Sequence, residues 1–239
     1  MPRRNIQIVN QEFYHIVKRG VEQRKTFLDD EDHLRCVNSF LVFNDKNPAP
    51  WQSRIFWDKR SPRFLTQTDY TSKKPLVEIH AFTLMPNHFH LLVRQLIENG
   101  IQLFMQKLGG YSQYFNQKYG REGGLFPDRY KIIHIETEHQ LKNTFVYIWT
   151  NSVALVESGW KEWKVKNPSQ AIKFLEEKHR WSSNWDYLGK KNFPQVTKRD
   201  FFLELFGGKQ GIRKEIKSWI EFKNEILRDE EELKKVIFE

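Results

Sequence analysis

A single cysteine, Cys36, occurs in 239 residues. That excludes an intrachain disulfide and a thiolate zinc cluster, both of which need several sulfurs. No stretch approaches the ~18 apolar residues that cross a bilayer. The first residues, Met1 to Gln7, lack the apolar core of a secretory signal, so the sequence is read as that of a cytoplasmic protein without a membrane partner. Basic residues form no tail, and no Gly-Lys-Ser/Thr signature follows the glycines at 120, 123 and 124. A nucleotide P-loop is therefore not expected, and that stretch reads as a turn.

What is present points to a folded domain with a polyanionic partner. Charged residues make up 29% and aromatic residues 15%, which is a globular rather than a disordered composition. Lys and Arg number 39 against 30 Asp and Glu, for a formal charge of +9 spread along the chain. A solvated basic surface accounts for such an excess, and so does a nucleic-acid partner.

Phe13 to Arg19 reads as a strand, Asp29 to Phe43 as a helix capped by an aspartate, and Val77 to Leu84 with His88 to Arg94 as a hairpin turning at Pro86-Asn87. Ile101 to Tyr119 has helical periodicity, with a kink or a close approach expected at Gly109-Gly110. Tyr130 to Ile135 is a fourth strand. Thr137 with Gln140 forms a capping box opening a helix to about Ser158. This order predicts an α+β fold, a ferredoxin/RRM-like antiparallel sheet with helices packed on one face and the other face open to substrate. Residues 1–160 would form the main domain, with an irregular insertion at about 45–75, and 161–239 a C-terminal helical extension with helices near 169–179, 200–206 and 213–238.

His88 and His90 flank Phe89 in a strand, where residues two apart project from one face. Such a pair can offer two ligands to one metal ion; two half-buried structural histidines have the same spacing. On the Thr137 helix, Leu141, Phe145, Ile148, Ser152 and Leu155 form the expected core stripe. Tyr147 and Asn151, one turn apart, share a neighbouring face beside the small Ala154 and Ser158. A tyrosine at a core edge is the plain account of that placement.

Several motifs in order carry a resemblance. Met85-Pro-Asn-His-Phe-His-Leu-Leu-Val93 resembles the His-hydrophobic-His strand of single-tyrosine HUH transposases, and most of all of the REP-associated tyrosine transposases. Tyr14 to Gly20, Phe27 to Asp32, Tyr114-Phe-Asn116, Gly124 to Lys131, Tyr147 to Val153 and Trp181 to Gly189 agree with it. The similarity spans most of residues 10–190. Where the family often has Asn-Pro-Val after the tyrosine, this chain has Asn151-Ser152-Val153.

The resemblance implies that His88, His90 and Asn151 bind a divalent metal ion, magnesium or manganese, and that Tyr147 is the nucleophile. It implies nicking and rejoining of single-stranded or hairpin DNA through a 5′-phosphotyrosine link. Arg19, Lys107, Arg121, Arg129 and Lys131 are the candidate DNA-binding residues. No obligate protein partner is expected, and the protein would be a monomer or a homodimer. Two other readings fit the same sequence. One is a non-catalytic, sequence-specific DNA-hairpin binding or regulatory protein, and the other an RNA-binding α+β domain. Tyr111, Tyr114 and Tyr119 are rival nucleophiles.

Overall fold

A computed structural model of the chain describes residues 7–48, 74–127, 129–162 and 165–221. The bulk of the 45–75 insertion and the end of the last expected helix lie outside these residues. Four strands form one antiparallel sheet: β1 (Phe13–Arg19), β2 (Val77–Met85), β3 (His88–Gln95) and β4 (Lys131–Ile135), in the order β2-β3-β1-β4. The expected α+β class with one antiparallel sheet is therefore the observed one.

Helix α1 (Asp30–Val42) starts where the Asp29 side chain accepts from the Asp32 N–H, and its first turn holds three acidic residues at the positive end of the helix dipole. Helices α2 (Gly100–Lys107) and α3 (Gly109–Tyr119) replace the single helix read from the sequence. The break falls at Leu108, next to the glycine pair. A Cβ on Gly110 would sit 2.9 Å from the Phe43 ring, so glycine there allows α3 to approach the end of α1 closely.

One sheet face is apolar and carries Tyr14, Ile16, Ile79, Phe82, Leu84, Phe89, Leu91 and Val93. It packs against α1 to α3 through Val37, Phe40, Ile101, Phe104, Tyr111 and Phe115. The second face was expected to be open, and here the structure differs. Helix α4 (Glu138–Thr150) lies on it, and Ala81, Leu92 and Ile135 share a core with Leu141, Phe145, Ile148 and Trp149.

The physical reason lies in the C-terminal segment. Helices α5 (Pro168–Lys173), α6 (Asn184–Tyr187), α7 (Asp200–Leu205) and α8 (Lys209–Glu221) follow it in order. Phe202, Ile212, Ile216, Trp219 and Ile220 join the α4 core, so α4 is apolar on more than one side and is buried between the sheet and these helices. The segment also covers the exposed edge of β2. Leu84 N–H donates to Trp181 O at 2.8 Å, Ser183 N–H donates to Phe82 O at 3.1 Å, and Thr83 bridges Ser182.

Candidate active site on the second sheet face

Register places the candidate residues. Across the sheet, Thr83, His90, Val17 and Lys131 form one row, and Met85, His88 and Arg19 the next. Directly opposed residues in an antiparallel ladder project to the same side. The two histidines, Arg19 and Lys131 therefore share the face that α4 covers, as does His15, which stands opposite Leu92.

Thr137 caps α4 by accepting from Gln140 N–H, while the Gln140 side chain reaches back to Glu136 N–H, one residue before the position expected of a capping box. The α-helix ends at Thr150 and continues as a 3-10 turn from Asn151 to Leu155 rather than running to Ser158. The Asn151 N–H still reaches Tyr147 O, so the one-turn spacing of Tyr147 and Asn151 holds. Tyr147, read as standing at a core edge, is only 5% exposed, and Val146, Trp149 and Thr150 are buried as well. Leu155, expected in the core stripe, is exposed.

These elements bring four expected residues together. Asn151 Nδ2 lies 2.9 Å from His90 Nε2. The Tyr147 ring stands edge-on to His90, with ring centres 5.8 Å apart, and His88 and His90 are 4.9 Å apart. His88 Nδ1 meets the Asn87 side-chain oxygen at 2.6 Å, which makes Nδ1 the protonated nitrogen. The lone pair is then on His88 Nε2, a buried atom with no hydrogen-bond partner.

Burial is the main cause of the site's electrostatics. It pushes the His88 imidazole down to about 3, helped by the positive charges of Arg19 and Lys161, and it lowers His15 to about 3. His90 is held well below the usual histidine range by burial first, then by His88, His15 and Arg19. All three rings are neutral at neutral pH, the form in which an imidazole offers a lone pair to a metal. Among the described residues, no three His, Cys, Asp or Glu side chains are grouped to hold a metal ion. Two imidazoles completed by the Asn151 amide oxygen could do so.

The expected DNA-binding residues divide. Arg19 and Lys131 lie on the site face, and Arg129 is exposed shortly before Lys131. Lys107 is elsewhere: its ammonium donates to the backbone oxygens of Asp45 and Asn47, at the end of α1. Arg121 folds back on Asn116 at 2.8 Å and over the Phe115 ring, closing the end of α3. The rival tyrosines are engaged away from the site. Tyr111 donates to Thr26 O, and Tyr114 and Tyr119 donate to Asp32.

Sequence reasoning missed His15, Asn87 and Lys161. Strand alternation alone puts His15 and Arg19 on one face of β1. Only the pairing of β1 with β3 shows that this face is also that of His88 and His90.

A solved REP-associated tyrosine transposase bound to a REP hairpin is 14% identical, over 84% of this chain and 93% of that one, with a TM-score of 0.47. Among proteins of curated function none matches significantly. Residues 51–151 match the family model described as transposase IS200 like. The resemblance drawn from the motifs thus has an independent match: the segment carrying His88, His90, Tyr147 and Asn151 has the sequence pattern of the IS200-like transposase family.

Proposed function

We propose that this protein is a metal-dependent single-stranded DNA nicking and strand-transfer enzyme, a transposase working through a 5′-phosphotyrosine intermediate on hairpin-forming repeats. The observation that carries this reading is the meeting of Tyr147, Asn151 and His90 within one chain, beside a buried His88 nitrogen with no partner.

The donor set fits a divalent cation: His88 Nε2, His90 Nε2 and the Asn151 side-chain oxygen would hold it. Nitrogen donors favour manganese over magnesium on ligand softness. When bound, the ion supplies Lewis-acid polarisation of a non-bridging phosphate oxygen and offsets the charge of the transition state. The Tyr147 oxygen attacks the phosphorus, the bond from phosphorus to the 3′ oxygen breaks, and the 3′ oxygen takes up a proton in balance for the phenolic one. The product is a 5′-phosphotyrosine and a free 3′-hydroxyl. A 3′-hydroxyl returning to the same phosphorus reverses the chemistry and joins strands. Tyr147 would serve its own subunit, because its ring packs against histidines of the same chain. Arg19 and Lys131, on the same face, would hold phosphates that flank the scissile one.

The test is incubation with labelled single-stranded hairpin oligonucleotides and manganese or magnesium, resolved on a denaturing gel. A covalent protein–DNA band that needs metal and is lost in Tyr147→Phe and His88→Ala is expected. Tight binding without any covalent band would instead leave a non-catalytic DNA-hairpin binding protein.

A further inference from the structure

His15 has no assigned role, yet it is 1% exposed and in contact with the candidate site. Its Nε2 lies 2.9 Å from His90 Nδ1. The ring centres are 5.1 Å apart and the planes differ by 19°. With a nitrogen–nitrogen distance of 2.9 Å, that separation leaves both nitrogens on the line between the ring centres. The contact is a hydrogen bond in the plane of both rings, not a face-to-face stack.

Only one neutral tautomer of His90 leaves a lone pair on Nε2, the nitrogen that faces Asn151. That tautomer carries its proton on Nδ1 and needs an acceptor there. We propose that His15 is the positioning residue that supplies this acceptor, keeping His90 Nε2 unprotonated and aimed at Asn151. The assignment has a visible cost. With its Nε2 accepting, His15 must carry a proton on Nδ1, and that buried atom has no hydrogen-bond partner. A histidine kept for packing alone would be expected to pair both nitrogens. His88 is oriented in the corresponding way by Asn87, so each histidine of the pair has its own orienting partner.

The consequence for metal affinity rests on the proposed metal role of His88, His90 and Asn151; the tautomer itself does not. The test uses the full-length, metal-free protein labelled with nitrogen-15. Long-range proton–nitrogen correlation of the imidazoles at neutral pH reads which nitrogen of His90 is protonated. Wild type should show protonated Nδ1 and bare Nε2. His15→Phe keeps an aromatic ring but offers no acceptor, and should lose that tautomer. His15→Gln, with an amide oxygen able to accept, should retain it. Circular dichroism and thermal melting check that both variants fold.

Titration with manganese alone, followed by electron paramagnetic resonance, reads the second arm: His15→Phe should bind about 10- to 100-fold more weakly, and His15→Gln within about threefold of wild type. A His90 protonated at Nε2 in wild type would overturn the proposal. So would an unchanged tautomer, or unchanged manganese affinity, in folded His15→Phe. If the tautomer follows His15 but wild type binds no manganese, the positioning role stands and the metal reading of the site fails.

Discussion

Arg19 stands directly opposite His88 in the ladder between β1 and β3, on the same sheet face. A permanently charged guanidinium is thereby fixed beside a neutral imidazole, at the end of the site where exposure begins to rise. His90 is wholly buried, His88 is 7% exposed and Arg19 is half-buried. This is where a phosphate backbone would first meet the protein.

Replacing Arg19 should therefore weaken DNA binding electrostatically. Arg19→Gln is expected to reduce the slope of log affinity against log salt by about 0.7, the value for one phosphate contact on single-stranded DNA. Lys107→Gln should leave that slope unchanged, because the Lys107 ammonium is bound by Asp45 and Asn47. Fluorescence anisotropy over a salt series reads both. A loss of slope in Lys107→Gln with none in Arg19→Gln would mean that the DNA path crosses the α1–α3 layer instead.

Acid should destabilise the metal-free fold from an unusually high pH. His15, His88 and His179 are held neutral in the fold down to about 3, chiefly by burial, and His90 is shifted the same way. In the unfolded chain each takes up a proton near pH 6.5. Below that pH the unfolded state binds more protons, so stability is intact above about 6.5 and falls as pH drops toward 3. Each histidine contributes about 1.4 kcal/mol per pH unit across its window. Urea midpoints at pH 7.5, 6.5 and 5.5 measure this, and a flat profile would contradict the neutral buried cluster.

The rival tyrosines should affect stability rather than chemistry. Lys118 meets Asp29 at 2.8 Å, and Glu31 and Asp32 at 3.0 Å, while Tyr114 and Tyr119 donate to the fully buried Asp32. Burial raises the Tyr119 phenol to about 12, away from a nucleophile's range. Lys118→Met leaves the Asp32 carboxylate without its cation and should cost about 3–5 kcal/mol. Tyr119→Phe should lower the melting temperature yet give the same yield of covalent DNA adduct as wild type.

The C-terminal segment should be needed for a stable α4. Ser183 Oγ accepts from Trp149 Nε1 at 2.9 Å and from Phe82 N–H at 3.0 Å, tying together the helix that carries Tyr147, the β2 edge and the 181–183 segment. Ser183→Ala leaves two buried donors without an acceptor and should cost roughly 1–3 kcal/mol for each group. Thermal melting checks the loss. A neutral effect would show that the segment is loosely attached.

The four strands, α1 and the start of α4 were legible because each carries its own local signal. Alternation in β1 and β3, the Asp29 cap and the Thr137 cap all act within a few residues. Tyr147 and Asn151 were legible as a pair because the helical spacing holds through the change to a 3-10 turn. The covered second face was not, because the residues that bury α4 from its far side lie some 50 to 70 positions downstream in sequence. Periodicity within α4 cannot report them.

By itself, then, the sequence determined the element order, the fold class, and a histidine pair and tyrosine whose motifs resemble a transposase family. Tertiary structure decided the rest. It placed His15 and Arg19 beside the histidines, removed Lys107 and Arg121 from the site face, and buried Tyr147 against His15 and His90. The physical reason is that strand register and layer packing join residues distant in the chain, and no local pattern encodes which distant surfaces will meet.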